Sequence, residues 1–332
     1  MDSWDNPAYE AALAYQKTAA LTAAIKLDIV GLIGGGAASS DSLAERTATS
    51  SRGMRILCDF LAVIGLLRKE NGSYSVTEPG KAYLDRSSPA WMGSSIDFYA
   101  APEILRLVLE DPVSYIRHGG SAGLAHLAPD HPVWLRFAKA MGPMARFAAK
   151  RAAFYLAASH GPPATVLDVA AGHGFYGIEL AKSFPEAIVT AVDWPSVLEL
   201  ASANARDAGV AERFHQIAGS AFEVDFGGEF DLIILANFLH HFNPDTCATM
   251  LRKVKSSLAP QGRVCAVDFV PDEDRVRVPT HAMFAFLMLA TTPDGDAWTS
   301  RDLDRMAKAA GFLGATVRPL RPTPQSLIMF ER

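Results

Sequence analysis

Cysteine is scarce in this chain, with three residues in 332, at Cys58, Cys247 and Cys265. An odd number at wide spacing builds neither a disulfide framework nor a zinc-ligand motif. Such usage points to a reducing cytoplasm as the compartment. Long hydrophobic runs are missing too. The most apolar stretch, Met283 to Ala290, is far shorter than the roughly 20 residues a membrane helix requires. The N-terminus reads MDSWDNPAYE, without a basic region leading into an apolar one, so no secretory signal is expected. Positive charge is not in excess. With 31 Lys and Arg against 36 Asp and Glu, the formal net charge is −5, which excludes bulk attraction to nucleic acid or an anionic membrane. No repeat or low-complexity tract is visible.

What is present is ordinary globular material: 49% hydrophobic and 20% charged residues, enough for a sizeable core. A length of 332 predicts one large domain or two ordinary ones. Residues 1–100 read as mostly helical. Ala11 to Ile33 is rich in Ala, Leu and Ile, with breaks expected at Gly31 and at Gly34-Gly35-Gly36. Ser40-Asp41-Ser42 offers N-cap candidates for a short helix through Arg46. A second helix is expected from Ser51 to Leu67, with Met54, Leu57, Phe60, Leu61 and Ile64 on one face. Leu66 to Lys69 and Tyr74 to Thr77 then read as strands joined through Glu70-Asn71-Gly72-Ser73, and Asn-Gly is a hairpin signal. Helix, helix and hairpin in that order make a winged-helix pattern. Residues 101–160 read as a helical connector, broken between His118 and Gly123.

From residue 161 the rhythm changes. Strands are expected at Thr165 to Val169, Ile188 to Asp193, Phe214 to Ile217, Phe230 to Leu235 and Arg263 to Phe269. Helices are expected between them, one opened by Asn243 as N-cap and Pro244 at its first position. Alternation of this kind predicts an α/β domain with a parallel sheet covered on both faces. Ala315 to Arg318 and Leu327 to Phe330 are separated only by a short Pro-rich loop. A parallel crossover needs a dozen or more residues, so these two strands are expected to pair antiparallel.

The chemistry concentrates in Val166-Leu167-Asp168-Val169-Ala170-Ala171-Gly172-His173-Gly174-Phe175-Tyr176-Gly177. Glycines at a strand-to-helix turn let a ligand approach the backbone closely. Asp193, at the end of the next strand, stands where a carboxylate grips ribose hydroxyls. Both features also fit a nicotinamide dinucleotide. Asp168 tips the balance: an anion there repels a pyrophosphate but suits the ammonium and sulfonium end of S-adenosyl-L-methionine.

Residues 165 to 270 resemble the S-adenosylmethionine-dependent class I O-methyltransferases of plant phenolic and bacterial antibiotic tailoring type. Asp193-Trp194-Pro195-Ser196-Val197 is similar to that family's ribose-binding segment. Gly219-Ser220-Ala221-Phe222 resembles its adenine-binding segment, with Ser220 in place of the usual Asp. Phe238-Leu239-His240-His241-Phe242 resembles the segment that holds the catalytic histidine, and Val267-Asp268-Phe269-Val270-Pro271 the acid-bearing strand after it. The resemblance implies a Rossmann-like methyltransferase sheet with an antiparallel C-terminal strand, behind an N-terminal winged-helix domain that forms a homodimer. It implies His240 as general base, oriented by Asp268. The cofactor site implied is Asp168, Gly172, Gly174, Asp193, Trp194, Gly219, Ser220, Ala221, Phe222 and Asn237. Phe137 and Met141 fall in a segment similar to the family's substrate-contacting helix. The opposite wall, by analogy, draws on Phe238, His241, Met288 and Trp298, with Met283, Phe284, Phe286 and Leu287 nearby. A wall of Met and Phe suits a flat, small aromatic acceptor. Departures are visible: Ala297 stands where the family has a second acid, with Asp296 adjacent, and His241 where the family has Asp.

Three other readings compete. An N- or C-methyltransferase of the same fold would share every cofactor signal. A nicotinamide-dependent oxidoreductase would share the Gly-rich turn, but Asp168 and the antiparallel end oppose it. A winged-helix regulator would need a basic face. Arg46, Arg52, Arg55, Arg68 and Lys69 are instead interleaved with acids and apolar residues. No third ligand accompanies His240-His241 at a useful spacing, so no metal is expected.

Overall fold

The computed structural model describes residues 6–332 except 125, 126, 129 and 160. The first five residues of the acidic N-terminal stretch, and the last residue of the expected connector, lie outside the described residues. The chain divides into two compact units, Met1–Leu105 and Arg106–Arg332. Residues 106–159 of the expected connector therefore belong to the second unit.

The first unit opens with α1 (Pro7–Ala12), α2 (Ala14–Lys26) and α3 (Ile29–Ile33), followed by β1 (Ala38–Ser39) and α4 (Ser40–Thr47). The first break in the apolar N-terminal stretch after α2 falls at Asp28, not at Gly31. Asp28 adopts φ +51° and Gly31 stays inside α3, where a Cβ would lie 2.6 Å from the Asp28 carboxylate. The cap of α4 is Ser39, one residue before the expected candidates, and its side chain accepts from the Ser42 N–H. Helix α5 (Ser51–Val63) stops four residues short of Leu67. Gly65, at φ +82°, turns the chain out of the helix and frees Leu67 for a strand. Met54, Cys58 and Leu61 form the buried stripe of α5, while Leu57 and Phe60 are half-buried beside it.

Strands β2 (Leu67–Glu70) and β3 (Ser73–Val76) make the hairpin, and β3 also pairs with β1. Only Asn71 and Gly72 form the turn; their φ values of +49° and +79° are those of a type I′ turn. Glu70 and Ser73 are strand residues. The wing is tied to α5 at Asp59, which accepts from the Tyr74 hydroxyl at 2.7 Å and the Lys69 ammonium at 2.6 Å. Those donors hold the Asp59 carboxyl at about 2, below its usual 3.8. Helices α6 (Glu78–Leu84) and α7 (Gly93–Tyr99) complete the unit, and α8 (Pro102–Leu109) carries the chain across the division.

The second unit continues with α9 (Pro112–His118) and the 27-residue α10 (Val133–Ser159). Strands and helices then alternate: β4 (Thr165–Val169), α11 (Phe175–Ser183), β5 (Ile188–Asp193), α12 (Pro195–Asp207), β6 (Phe214–Ala218), β7 (Phe230–Ala236), α13 (Pro244–Ser256) and β8 (Leu258–Asp268). Strand β8 begins five residues earlier than Arg263, and Phe269 lies just beyond it. Asn243 caps α13 by accepting from the Thr246 N–H at 2.9 Å. After α14 (Pro279–Thr291) and α15 (Ser300–Ala309), β9 (Gly314–Pro319) and β10 (Ser326–Glu331) close the chain.

The seven-stranded sheet has the order β6-β5-β4-β7-β8-β10-β9. Strands β4 to β8 run parallel, whereas β10 is antiparallel to both β8 and β9. One face buries Val166, Val189 and Ile234 against α10, α11 and α12; the other buries Leu167, Val169 and Ile233 against α13 and α15. Burial on both sides explains why these strands read as continuous apolar runs. The chain proceeds outward from β4 through β5 to β6, then returns to the other side of β4 as β7. That reversal opens a crevice at the carboxyl ends of β4 and β7, where ligands of such sheets bind. Among the described residues no helix is long and apolar enough to cross a membrane.

Candidate active site

The crevice is built by loops that leave the carboxyl ends of β4 to β8. After β4 the backbone turns left-handed at Ala170 (φ +55°), Gly172 (φ +57°) and Gly174 (φ +78°). Asn237, directly after β7, is left-handed too at φ +51°. Two non-glycine residues in this region, flanking the reversal of strand order, store local strain where the chain faces the crevice. Space is open where a Cβ at Gly172 would sit, whereas a Cβ at Gly174 would press within 3.0 Å of Ala201.

Asp168 is buried beneath this turn. Its Oδ2 accepts from the Gly177 N–H at 2.8 Å, while its Oδ1 has no partner among the described residues. Burial pushes its carboxyl up to about 7, the Asp193 charge adds to the rise, and the Gly177 bond opposes it. Asp193 ends β5 and accepts from Gly172 N–H at 2.8 Å and from Trp194 N–H at 2.7 Å. Each carboxylate oxygen has a second lone pair for a ligand hydroxyl. Burial raises the Asp193 carboxyl as well.

The loop after β6 carries Gly219, Ser220, Ala221 and Phe222. The Gly219 N–H donates to the Asp193 carbonyl, and Lys253 of α13 holds the loop from behind, donating to the carbonyls of Ala221 at 2.8 Å and Val224 at 2.7 Å. The ring of Phe222 meets Phe238 and Phe242, with centroids 5.9 and 5.1 Å away. Phe238 thus stands on the β6 side of the crevice, in an aromatic wall with Phe222. Asn237 donates to the Tyr176 hydroxyl at 3.3 Å, and its own Oδ1 lacks a partner among the described residues.

His240 and His241 sit in a single 3-10 turn after β7, Leu239–His241. His240 is buried, and its Nδ1 lies 2.6 Å from Oδ1 of Asp268 at the end of β8. The same carboxylate accepts the backbone N–H of His240 at 3.3 Å and of Phe269 at 2.8 Å. The imidazole is enclosed by the rings of His241 and Phe284, at 4.2 and 4.8 Å, and Phe284 stacks on Phe269 at 4.0 Å. Burial and the neighbouring His240 depress the His241 imidazole well below 6.5, so it is neutral at ordinary pH.

The segment after α14 supports this turn through its backbone. The Asp296 N–H donates to the His240 carbonyl at 3.0 Å, and the Trp298 indole to the Leu239 carbonyl at 3.2 Å. A Cβ at Gly295 would lie 2.4 Å from the His240 carbonyl oxygen. The end of α14 is clamped in turn: Ser121 donates to the carbonyls of Thr292 at 2.9 Å and Ala290 at 2.6 Å. The Asp296 side chain turns elsewhere, pairing with Arg275 at 3.0 Å, and that guanidinium also holds Asp302 at 2.7 Å. With Ala297 fully buried, one carboxylate among the described residues, Asp268, bonds the His240 ring.

Of the expected acceptor wall, Phe137 on α10 reaches the site, its ring edge-on to His241 at 6.4 Å. Met141 lies one helical turn further along α10, half-buried. Met288 is buried and shares the inner stripe of α14 with Phe284. Met283 and Phe286 lie on the outer side of that helix, with Met283 73% exposed, because helical periodicity separates them from Phe284 and Met288. Trp298 contributes its indole N–H to the loop.

Sequence reasoning passed over several participants. His173 stacks on Phe175 at 4.6 Å, and burial plus the nearby Arg146 charge push its imidazole down to about 3. Tyr176 lies inside the quoted Gly-rich segment, so its position was a signal. Arg146, Lys253 and Arg275 carry none, since each acts through contacts between distant segments.

Comparison with known proteins places this geometry. The O-methyltransferase domain matches residues 109–313, and the O-methyltransferase dimerisation domain matches residues 9–86. The chain belongs to the O-methyltransferase family and is an S-adenosylmethionine-dependent O-methyltransferase. A crystal structure from Nostoc punctiforme, of a protein assigned to the O-methyltransferases, is 43% identical with a TM-score of 0.92. That match covers 99% of this chain and 100% of the other. Acetylserotonin O-methyltransferase of Gallus gallus is 28% identical over 84% of this chain and 83% of its own. Phenazine O-methyltransferase of Lysobacter antibioticus is 26% identical over 96% of this chain and 92% of its own.

The residues present fit that cofactor. An orphaned, buried carboxylate oxygen on Asp168 and an orphaned amide oxygen on Asn237 are acceptors suited to an ammonium group. Gly172 leaves its cradle open beside Asp193, and the wall at Phe222 supplies an apolar surface for a purine.

Proposed function

We propose that this enzyme methylates a hydroxyl group of a small aromatic acceptor, with His240 as general base and Asp268 as the group that orients it. The observation that carries the reading is the buried 2.6 Å bond between His240 Nδ1 and Asp268. An Nδ1–H that donates to the carboxylate would leave the Nε2 lone pair free for the acceptor, which supports the reading. S-adenosylmethionine, when bound, supplies a methyl group that is already electrophilic on its sulfonium. Asp168 and Asn237 would hold its ammonium, Gly172 and Gly174 its amino-acid end, and Asp193 with Trp194 its ribose. Gly219, Ser220, Ala221 and Phe222 would frame the adenine. The protein then has two tasks: to align the acceptor oxygen and to remove its proton. His240 Nε2 takes that proton, and Asp268 stabilises the imidazolium that results. The neutral His241 adds no competing positive charge beside it.

The surrounding side chains support an aromatic acceptor. Phe137, Phe284 and Met288 offer flat and polarisable surfaces suited to an aromatic ring. The residues 1–100 act as a dimerisation unit. An apolar groove on that unit, lined by Tyr15, Ala19, Ile56, Leu57 and Phe60, supports a homodimer.

His240→Ala tests the base. The variant is expected to bind S-adenosylhomocysteine like the wild type and to lose about 10²- to 10⁴-fold in turnover of a phenolic acceptor. Unchanged turnover with intact cofactor binding would remove His240 from the role.

A further inference from the structure

Helix α14 turns one stripe inward: His281 and Met288 are buried and Phe284 and Ala285 half-buried, while Ala282, Met283 and Phe286 face out. Phe284 touches the His240 ring at 4.8 Å. His281 lies three residues earlier on the same stripe, about 4.5 Å back along the axis. Its ring stands edge-on to Phe269 at 6.2 Å, and Phe269 stacks on Phe284. The rings of Phe284 and Phe269 therefore link His240 to His281.

His281 is 8% exposed, and its Nε2 lies 2.8 Å from the Pro324 carbonyl. A carbonyl only accepts, so Nε2 carries the proton and Nδ1 of the neutral ring is an acceptor. That Nδ1 has no partner among the described residues. The residue after Pro324 is Gln325, 2% exposed, whose Oε1 is likewise without a partner among the described residues. Two buried acceptors on adjoining segments ask for a donor.

We propose that His281 and Gln325 form a polar end to the acceptor site, which takes a hydrogen-bond donor on the acceptor remote from the oxygen that is methylated. The inference rests on the methyl-transfer reading above and narrows its substrate class: an aromatic acceptor with a second O–H or N–H at its far end. A site that hydrogen-bonds such a group rejects the analogue lacking it, because the buried acceptors are then left unpaired.

The test is equilibrium binding of 2-naphthol, 2,6-dihydroxynaphthalene and 2,7-dihydroxynaphthalene to full-length protein saturated with S-adenosylhomocysteine. At least one diol is expected to bind about tenfold more tightly than 2-naphthol, beyond the twofold statistical advantage of a symmetric diol. In His281→Phe and in Gln325→Met that preference is expected to vanish while 2-naphthol affinity stays within twofold. Melting temperatures identify a variant that fails to fold, and the other variant then carries the comparison. A wild type without preference for either diol overturns the proposal, as does a preference that survives in both variants, the two atoms then being satisfied by ordered water. If S-adenosylhomocysteine binds and the preference is absent, only this subsite falls. If the cofactor product itself does not bind, the methyl-transfer reading fails first.

Discussion

Replacing Asp168 by Asn separates the charge of this carboxylate from its shape. In the cofactor-free protein, burial raises the Asp168 carboxyl from 3.8 to about 7. Between those values the folded state holds a proton that the unfolded state has lost. Stability is therefore fully present below pH 4 and declines as pH rises to about 7. At 1.36 kcal/mol per pH unit the full decline is at most about 4 kcal/mol. Asn carries no charge to desolvate, and its amide oxygen can keep the Gly177 N–H bond. Its amide hydrogens introduce a buried donor at a cost of about 1–3 kcal/mol. The net gain at pH 8 is about 2 kcal/mol, or roughly 4–8 °C in melting temperature for a unit of this size. At pH 5 only about 1.6 kcal/mol of that decline has occurred, which the cost of the buried donor roughly cancels, so the gain disappears. The cofactor response runs the other way. Loss of the negative partner for an ammonium group is expected to weaken S-adenosylhomocysteine by about 10- to 100-fold at pH 8. Scanning calorimetry at pH 5 and pH 8, with and without S-adenosylhomocysteine, reads both effects. An equal difference between wild type and variant at the two pH values, or unaltered product affinity, would refute the reasoning.

Two further outcomes follow from packing. Gly177→Ala places a Cβ 2.8 Å from Val189 and 3.0 Å from the Asp168 carboxylate, so it is expected to cost about 1–3 kcal/mol, measured by denaturant unfolding; a neutral result would mean that α11 can shift freely against β4 and β5. Ile56→Glu, at a position 43% exposed on the apolar groove of the first unit, is expected to leave the fold intact and to shift the protein toward monomer in light scattering; an unaltered mass would locate the subunit contact elsewhere.

The sheet was legible because its signals are local. Thr165–Val169 and Ile188–Asp193 are short apolar runs bounded by glycine, proline or aspartate, and their limits are those of β4 and β5. The short Pro-rich loop before Leu327 was enough to require the antiparallel pair. Helix ends were less legible, because Asp28 breaks the chain through a left-handed conformation that sequence alone assigns more readily to Gly31. The site divides in the same way. Asp168, Asp193 and Asp268 announce themselves by standing at or next to strand ends, and His240 by lying in the turn just after β7. The pairing of Asp296 with Arg275 joins residues 21 apart through a loop of unpredictable course. The inward turn of Phe284 rather than Phe286 depends on the rotation of α14 about its axis, which an almost uniformly apolar helix does not encode.

The backbone link from the end of α14 to His240 has a bearing on how acceptor range can change. The Asp296 N–H and the close approach of Gly295 join the helix to the turn that holds His240, and Ser121 fastens the other side. Sliding the helix outward to admit a bulkier molecule would drag the His240 imidazole with it and, on the proposed reading, away from the acceptor oxygen. New specificities in this scaffold should therefore arise by trimming or enlarging individual side chains along the inner stripe, with the main chain left where it is.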